Sequence, residues 1–234
     1  MTKANCQLFN ICCVLCKTKG IVFRFVKFGE TSIVANVFTE QFGLQGYMIK
    51  GVRTSSRKSK IALFQPLTLL DMVVYHKENG GIMHVKEVKC FHPYRNITSD
   101  VRKTAIAMFI NEVLNRSVKE QSHAQPIFDF IASSLIHLDT LARPENFHLM
   151  FMIGLSKHLG FGPLLSSEVL GGRLVNEDEE RVLNQLLSSE YGSEISLTYV
   201  QRQNLLTVLL QFYSAHSDGF GEMKSVAVLK EVLG

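Results

Sequence analysis

Apolar and polar residues alternate with the two-residue period of a β-strand through much of the first third of the chain. The apolar segments are short, rich in β-branched and aromatic residues, and separated by glycine-containing turns, which is typical of strands joined by hairpins. The pattern predicts five strands, at residues 20–26, 33–38, 44–49, 64–75 and 82–91. Because no segment between them is long enough for a helical crossover, it favours a small barrel.

After Pro93 the apolar positions recur with the period of an α-helix instead. The predicted helices are one from about residue 99, one at 126–142, one from Pro144 to Gly160, one opening on the acidic run 177–180, the longest at 197–216, and a last one at 224–233. Residues 91–98 are the predicted linker. The fold class is therefore predicted as α+β, with a barrel followed by an all-α domain.

The charge is distributed unevenly between these two parts. Residues 1–90 carry 13 Lys and Arg against 5 Asp and Glu, whereas residues 91–234 carry 12 against 16. A basic module joined to a mildly acidic one indicates that a polyanion binds the first part. Charge sign alone leaves nucleic acid and anionic lipid both open.

One short segment concentrates the positive charge. Between Gln41 and Leu70 there is no acidic residue, and the run KGVRTSSRKSK at 50–60 lies between two predicted strands. Serine and threonine fill its gaps, which predicts a loop rather than a helix face. Its cations suit a phosphate backbone, and the alternative is a solvated loop that only maintains solubility. The candidates for nucleic-acid binding here are Lys50, Arg53, Arg57, Lys58 and Lys60.

Aromatic residues accompany cations elsewhere on the predicted barrel. Arg24 and Lys27 lie near Phe25 and Phe28, and small barrels bind single strands by stacking bases on exposed aromatic rings beside a cationic groove. The alternation in residues 20–28 puts Phe23 and Phe25 on one face and Arg24 and Val26 on the other, so at least one of the two phenylalanines should point inward. Tyr47 is the preferred stacking candidate, because its hydroxyl tolerates water.

Catalytic and metal-binding patterns are missing from the sequence. No phosphate-binding, dinucleotide-binding, zinc-protease or serine-hydrolase motif occurs, and the histidines are scattered, so a protein that is not an enzyme is predicted. Cys13 and Cys16 have CxxC spacing and Cys6 and Cys12 lie close by, but no second ligand pair lies on a separate turn, which disfavours zinc. With no apolar run long enough to cross a membrane and no cleavage site after Cys16, cytoplasmic residence with reduced cysteines is expected.

Several ordered segments resemble the RecO family of DNA repair proteins. They are GIVFR at 20–24, FGETS at 28–32, FTE at 38–40, KGVR at 50–53, LFQPLTLL at 63–70 and MKSVAVL at 223–229. The resemblance covers residues 18–234 and implies an OB-fold at 18–92 and a helical domain at 93–234. Residues 1–17 are interpreted as an extension or a misassigned start.

The resemblance also implies a function and partners. It implies binding of single- and double-stranded DNA, strand annealing, and cooperation with RecR to load RecA onto strands coated by single-strand-binding protein, in the cytoplasm at the nucleoid. Lys50, Arg53, Arg57 and Lys58 would contact DNA. The helical domain would bind the acidic C-terminal tail of the coat protein, with Arg202 and Lys224 as candidate contacts.

One departure from the family pattern affects the metal prediction. Many members carry four zinc-binding cysteines after the segment that corresponds to residues 158–163, but here residues 164–173 read LLSSEVLGGR. No metal and no other cofactor is therefore expected, with a Gly171-Gly172 turn and apolar packing in its place. Two hypotheses compete with the DNA-binding mediator: an adaptor whose basic loop docks an acidic partner, and an RNA-binding OB protein.

Overall fold

Five strands close into a barrel in the order β1-β2-β3-β5-β4, which is the arrangement of an OB-fold. The computed structural model describes residues 14–52, 60–77, 80–119, 124–173, 177–189, 191, 193 and 195–233. The strands are β1 (Val14–Phe28), β2 (Ser32–Thr39), β3 (Gly43–Ile49), β4 (Leu69–His76) and β5 (Met83–Cys90). Four neighbouring pairs are antiparallel, and the fifth, β3 with β5, is parallel. The predicted barrel followed by helices is confirmed.

Strand β1 is long enough to belong to two sides of the barrel. Residues 14–21 pair with β4, and residues 20–28 pair with β2. Gly20 lies where the strand passes between these neighbours, and a Cβ atom there would be 2.5 Å from Val37 Cγ1 and 2.7 Å from Met72 Cε. The strand begins at Val14, so the interpretation of residues 14–17 as part of an extension is wrong. Residues 1–13 lie outside the described residues.

A β-bulge between Val22 and Arg24 shifts the register of β1 against β2. Phe23 points outward and packs with the helices, whereas Phe25, two residues later, packs into the barrel. The two rings therefore lie on opposite sides of the sheet, which corrects the prediction that they share a face. Because the extra residue reverses the alternation, Arg24, Val26 and Phe28 turn outward.

The predicted strand at 64–75 is too long at its start. Residues Ile61–Phe64 form a 3₁₀ helix, and β4 begins only at Leu69. Pro66 between them has no N–H to donate to a sheet, and Leu67 adopts a positive φ of 66°. The Leu67 N–H donates to the Val22 carbonyl at 2.6 Å, so this turn is fixed to β1 nonetheless.

The described residues after the barrel form seven α-helices. They are α1 (Val101–Ser117), α2 (Ala124–Thr140), α3 (Phe147–His158), α4 (Ser166–Leu170), α5 (Glu177–Ser188), α6 (Tyr199–His216) and α7 (Ser225–Leu233). The acidic start of α5 and the greatest length, that of α6, are confirmed. Pro144 lies in a turn before α3 rather than at its first position, because its carbonyl accepts from the Phe147 N–H. The short helix α4 was not predicted.

The barrel and the helices share one hydrophobic core. Residues on the outward side of the barrel, among them Ile21, Phe23, Phe38 and Leu69, are buried in the same cluster as the apolar faces of the helices. A second cluster fills the barrel interior. The two predicted domains therefore pack firmly against each other. Among the described residues, no helix combines the length and apolar character that crossing a bilayer requires.

The linker between barrel and helices is held by one carboxylate. Asp139, near the end of α2, accepts hydrogen bonds from the backbone N–H groups of Arg95, Asn96 and Ile97 at 2.8–3.1 Å. Its own carbonyl accepts from Lys103 Nζ and Asn96 Nδ2, at 2.7 and 2.8 Å. Burial alone would raise the pKa of Asp139, but the three N–H donors and nearby Lys103 lower it. The linker therefore has a defined path rather than that of a loose hinge.

A second carboxylate fixes the last helix. Glu112 on α1 accepts from the backbone N–H groups of Lys224 and Ser225 and from the Ser225 hydroxyl, at 2.7–3.2 Å. Arg116, one turn later, donates to the same carboxylate and to the carbonyls of Phe220 and Glu222. Burial alone would raise the pKa of Glu112, but these hydrogen bonds lower it to about 2.

The replacement Asp139→Asn should destabilise the protein by about 3 kcal/mol, because three backbone N–H groups of the linker lose a buried, ionised acceptor. Chemical denaturation monitored by circular dichroism measures the change. Asp129→Asn on the same helix is the control, since Asp129 is exposed and its hydrogen bonds to described residues go to Gln125 alone, so its effect should stay within about 0.5 kcal/mol. Equal effects of the two replacements would contradict the role assigned to Asp139.

The hydrogen bonds to Glu112 should make stability depend on acid. The folded pKa is below the unfolded value, so the stabilisation is complete above about pH 4.5 and is lost as the pH falls towards 2. The wild type should be more stable than Glu112→Gln by about 2 kcal/mol at pH 7, and this gap should narrow below pH 5. Denaturation at several pH values measures it. A stability difference between the wild type and Glu112→Gln that does not change with pH would refute the prediction.

Candidate nucleic-acid interface

The outward side of β1, β2, β3 and β5 forms a continuous surface, here called the outer sheet face. Residues directly opposite each other on paired strands project to the same side, so the register places a row of four side chains across it: Val26, Val34, Met48 and His84. Arg24 and Asn36 form the neighbouring row on one side. Lys50 follows Met48 by two residues and Lys86 follows His84 by two, on the other side. The face therefore has an apolar centre with cations on both sides.

The pairing between β3 and β5 is the weak point of the barrel. Only two residue pairs join these strands, Tyr47 with Met83 and Met48 with His84. Beyond them the strands diverge around a groove of about 570 Å³, here called the seam groove. Its lining brings Lys50, Lys60 and Lys86 together with His84 and Glu87. The loop at 53–59 leaves and re-enters the described structure next to this groove.

The lysines of the seam groove are free to bind an anion. Lys50, Lys60 and Lys86 are exposed, and none forms a salt bridge with a described residue. By contrast, Lys89 on the same strand as Lys86 pairs with Asp71 at 3.2 Å. Three cations around one groove, against a single carboxylate from Glu87, produce a positive potential that suits phosphate groups.

The apolar part of the outer sheet face is unusually exposed. Val26 is 57% and Phe28 55% exposed, although both lie on a regular strand with a paired neighbour. Phe28 stands near the β1–β2 turn, on the same side of the sheet as Arg24. An exposed ring beside cations provides a platform on which an unpaired base can stack.

The structure places the sequence-predicted contact residues in different environments. Lys50 and Lys60 line the seam groove, and Arg24 lies on the outer sheet face beside the Asn36 amide, 3.0 Å from its guanidinium. Lys27 is exposed, but it lies two residues after Phe25, and alternate side chains of a strand share a side. It therefore projects from the opposite side of the hairpin to Arg24. Arg53, Arg57 and Lys58 lie outside the described residues.

The choice of Tyr47 as a stacking residue is wrong. Its ring is fully buried in the barrel interior, and its hydroxyl has no hydrogen-bond partner among the described residues. Burial raises the pKa of this hydroxyl far above its ordinary value. Side chains alternate between the two sides of β3, so Tyr47 points into the barrel, whereas its neighbours Gly46 and Met48 lie on the outward side. Phe28 remains the exposed aromatic ring on this face.

Two site residues were missed by the sequence analysis. His84 and Lys86 belong to a strand with the pattern HVKEVK, in which charge of both signs looks like an ordinary solvent face. Their position opposite Lys50 depends on the parallel pairing of β3 and β5, which connects residues 36 positions apart in the sequence. A charge map of the chain could have included Lys86, but only the strand order assigns it to the groove.

The candidate contacts for a partner tail are not neighbours. Arg202 is buried, and its guanidinium donates to Asn146 Oδ1 and to the carbonyls of Leu233 and Leu197, at 2.9–3.4 Å. It is therefore a brace inside the helical domain rather than a free surface cation, which corrects the prediction. Lys224 is exposed and lines a different groove, between α1, α7 and the turn at Pro66.

Arg202 nevertheless reaches the wall of a cavity of about 290 Å³, here called the helical pocket. Exposed Arg143 and apolar residues Phe147, Met150 and Ile195 also line it. His137 contributes an Nε2 atom that is buried without a partner. The pocket thus combines cationic and apolar groups at one opening.

The segment that departs from the zinc pattern is folded around apolar contacts. Val169 of α4 is buried in the shared core, and Gly171 and Gly172 form a turn with φ values of 56° and 83°. Among the residues that the structure describes, no three His, Cys, Asp or Glu side chains are grouped as metal ligands would be.

Comparison with known proteins gives a consistent result along the chain. Residues 14–94 match the family model for the N-terminal part of recombination protein O, and residues 98–179 match the model for its C-terminal part. A protein of Flavobacterium johnsoniae is 36% identical over 232 residues, covering 92% of this chain and 98% of the relative. A protein of Bacteroides fragilis is 30% identical over 240 residues, covering 94% and 99%. Both relatives are named DNA repair protein RecO.

Proposed function

The chain belongs to the RecO family of DNA repair proteins, and from that premise we propose that it is a DNA-binding recombination mediator with no turnover chemistry. Membership of the family supports a role in DNA repair and recombination. The finer activities follow as proposals: binding of single- and double-stranded DNA, annealing of complementary strands, and assistance in loading RecA. The proposed place of action is the nucleoid in the cytoplasm.

The observation that carries the proposal is the outer sheet face. Its exposed apolar centre, with Phe28 near one corner, accepts bases, while Arg24 on one side and the lysines of the seam groove on the other hold the sugar-phosphate backbone. Phosphate contacts carry no base information, so binding is independent of sequence. A protein that must act wherever a strand is damaged needs this property.

Annealing follows from the same geometry. A strand whose phosphates lie along the cations is held extended, and its repulsion of a second strand is reduced because the lysines neutralise charge. The sequence-predicted contacts Arg53, Arg57 and Lys58, which lie in the sequence between Val52 and Lys60, would extend the contact to the second strand. The adaptor hypothesis uses the same cations for an acidic protein segment, so only binding measurements separate the two.

The helical pocket is the proposed site for the tail of single-strand-binding protein. An acidic segment with an apolar end would place its carboxylates near Arg143 and its apolar side chain against Phe147 and Met150. The Arg202 guanidinium is held by three protein acceptors in the pocket wall, so it would attract the carboxylates of the tail without moving out to meet them. RecR is proposed as a further partner, and the described surfaces do not distinguish where it binds.

The double replacement Lys50→Glu/Lys86→Glu should weaken binding of a labelled single-stranded oligonucleotide at least ~10-fold, measured by fluorescence anisotropy across a salt series. About four phosphate contacts give the wild type a log–log salt slope near −3, and losing two of them reduces its magnitude by about 1.4. Lys89→Glu/Lys119→Glu makes the same change in net charge away from the seam groove and should leave the slope unchanged.

Other outcomes of this titration would change the proposal. A wild-type slope near zero would refute electrostatic binding, and equal effects of the two double variants would move DNA away from the seam groove.

Phe28→Ala should weaken single-strand binding about 5-fold or more without changing the slope, because stacking releases no ions. Tighter binding of RNA than of DNA would favour the RNA-binding hypothesis, and no binding of either would favour the adaptor.

The replacement Arg143→Glu should weaken binding of a peptide with the acidic C-terminal sequence of single-strand-binding protein at least ~10-fold, measured by the same method. Arg143 is exposed at the opening of the helical pocket, so the protein should remain folded. Arg181→Glu on α5, whose partner is Asp178, is the control. The Lys50→Glu/Lys86→Glu protein should keep its affinity for the peptide, and joint loss of DNA and peptide binding would show that the two sites are not separate.

A further inference from the structure

The first residues of β1 form an edge that pairs on one side only. Residues 14–21 pair with β4, but pairing with β2 starts at Gly20, so residues 14–18 have no second strand among the described residues. An edge of this kind presents unpaired backbone groups to solvent and can accept another strand. None of residues 14–18 lines the seam groove, although the groove beside Lys17 shares Glu87 and Val88 with it.

The hydrogen bonds around Gly20 identify which backbone groups point to the open side. The Val22 N–H and carbonyl bond to the β4 side, at Thr68 and Leu67. The Lys19 carbonyl instead accepts from the Glu40 N–H, and the Lys19 N–H donates to Glu40 Oε1, both on the open side. Because alternate residues of a strand face the same neighbour, Leu15 and Lys17 also point to the open side. Their N–H and carbonyl groups have no described partner.

The side chains along this edge favour a particular kind of strand. Leu15, Lys17 and Lys19 project outward and are exposed, while Cys16 and Thr18 pack inward. Tyr75, opposite Leu15 on β4, is 40% exposed and extends the apolar end of the edge. A strand added here would meet two positive side chains followed by an apolar patch.

Charge argues against a second copy of this chain as the occupant. Two β1 edges paired antiparallel around Lys17 would place like charges directly opposite each other, which destabilises a sheet. Lysine on an exposed edge is a common device against self-association. An acidic strand removes this repulsion and replaces it with attraction.

Glu40 shows that this edge accepts acidic residues. Its backbone N–H and its carboxylate both bond to Lys19, so one acidic residue already occupies the last position of the open side. Glu40 and Lys17 line the same groove of about 430 Å³ beside the edge. An incoming strand that ends next to Glu40 would continue this arrangement along Lys17 and Leu15.

We propose that the open edge of β1 at Leu15 and Lys17 is a docking site for an extended acidic protein segment, which adds to the barrel as an antiparallel strand. Two residues of the edge supply two N–H donors and two carbonyl acceptors. The preferred segment carries an acidic residue opposite Lys17 and an apolar residue opposite Leu15, separated by one position, and a further acidic residue at its end, next to Glu40.

The test uses the full chain and a synthetic peptide, Thr-Glu-Thr-Glu-Thr-Leu-Thr, acetylated and amidated at its ends. Amide hydrogen exchange followed by nuclear magnetic resonance should show that saturating peptide slows exchange at Leu15 and Lys17 at least ~10-fold. Cys16 and Thr18, whose N–H groups face β4, are internal controls and should not change. The matched control peptide is N-methylated at its second Glu and at Leu, so it keeps the charge but cannot donate those hydrogen bonds.

Each outcome decides the proposal. Protection by the first peptide, loss of at least ~10-fold in affinity on N-methylation, and a similar loss in Lys17→Glu but not in Lys119→Glu would support strand addition. Equal affinity for the two peptides would show that binding depends on the charge of the peptide and not on its backbone hydrogen bonds, which would overturn the proposal. Slow exchange at Leu15 and Lys17 in the free protein would also overturn it, because the edge would then already be covered.

Discussion

The orientation of the barrel against the helices depends on one buried carboxylate. Asp139 gathers three consecutive backbone N–H groups of the linker, and Lys103 balances its charge from α1 by binding the Asp139 carbonyl. With the linker held, Ile21, Phe23 and Phe38 of the barrel enter the same core as the helices. Tyr94 strengthens the junction, since its hydroxyl donates to the Leu67 carbonyl at 2.7 Å. The charged and apolar contacts therefore make one rigid unit out of two modules of opposite net charge.

Within the barrel, the bulge in β1 separates two tasks that one strand performs. Before the bulge, the outward residues Ile21 and Phe23 pack against the helices. After the bulge, the outward residues Arg24, Val26 and Phe28 are exposed to solvent. An uninterrupted strand would keep odd-numbered residues outward, so it would expose Phe25 and bury Arg24. One additional residue thus turns an internal packing surface into a solvent-exposed surface without ending the strand.

Local sequence signals predicted the fold well and the site only in part. Alternation located three of the five strands closely, and the helical period located the longest helix, which begins at a Thr198–Gln201 capping box. The errors concern non-local contacts: the bulge at Phe23, the inward orientation of Tyr47, and the pairing that brings Lys86 to Lys50. Arg202 was misassigned because a cation on a helix is usually solvated, whereas here three distant acceptors bury it. Such facts depend on which segments meet, and one sequence carries no direct record of that.

The short pairing between β3 and β5 also has a mechanical meaning. The barrel is closed between β3 and β5 by only two residue pairs. Lys50, Lys60 and Lys86 line the groove between these strands, and their positive charges repel each other when no anion is bound. A polyanion bound across the seam groove would hold β3 and β5 together, because its attraction to the lysines replaces their mutual repulsion. The barrel would then be stiffer when occupied than when empty, so ligand binding and barrel closure would be thermodynamically linked.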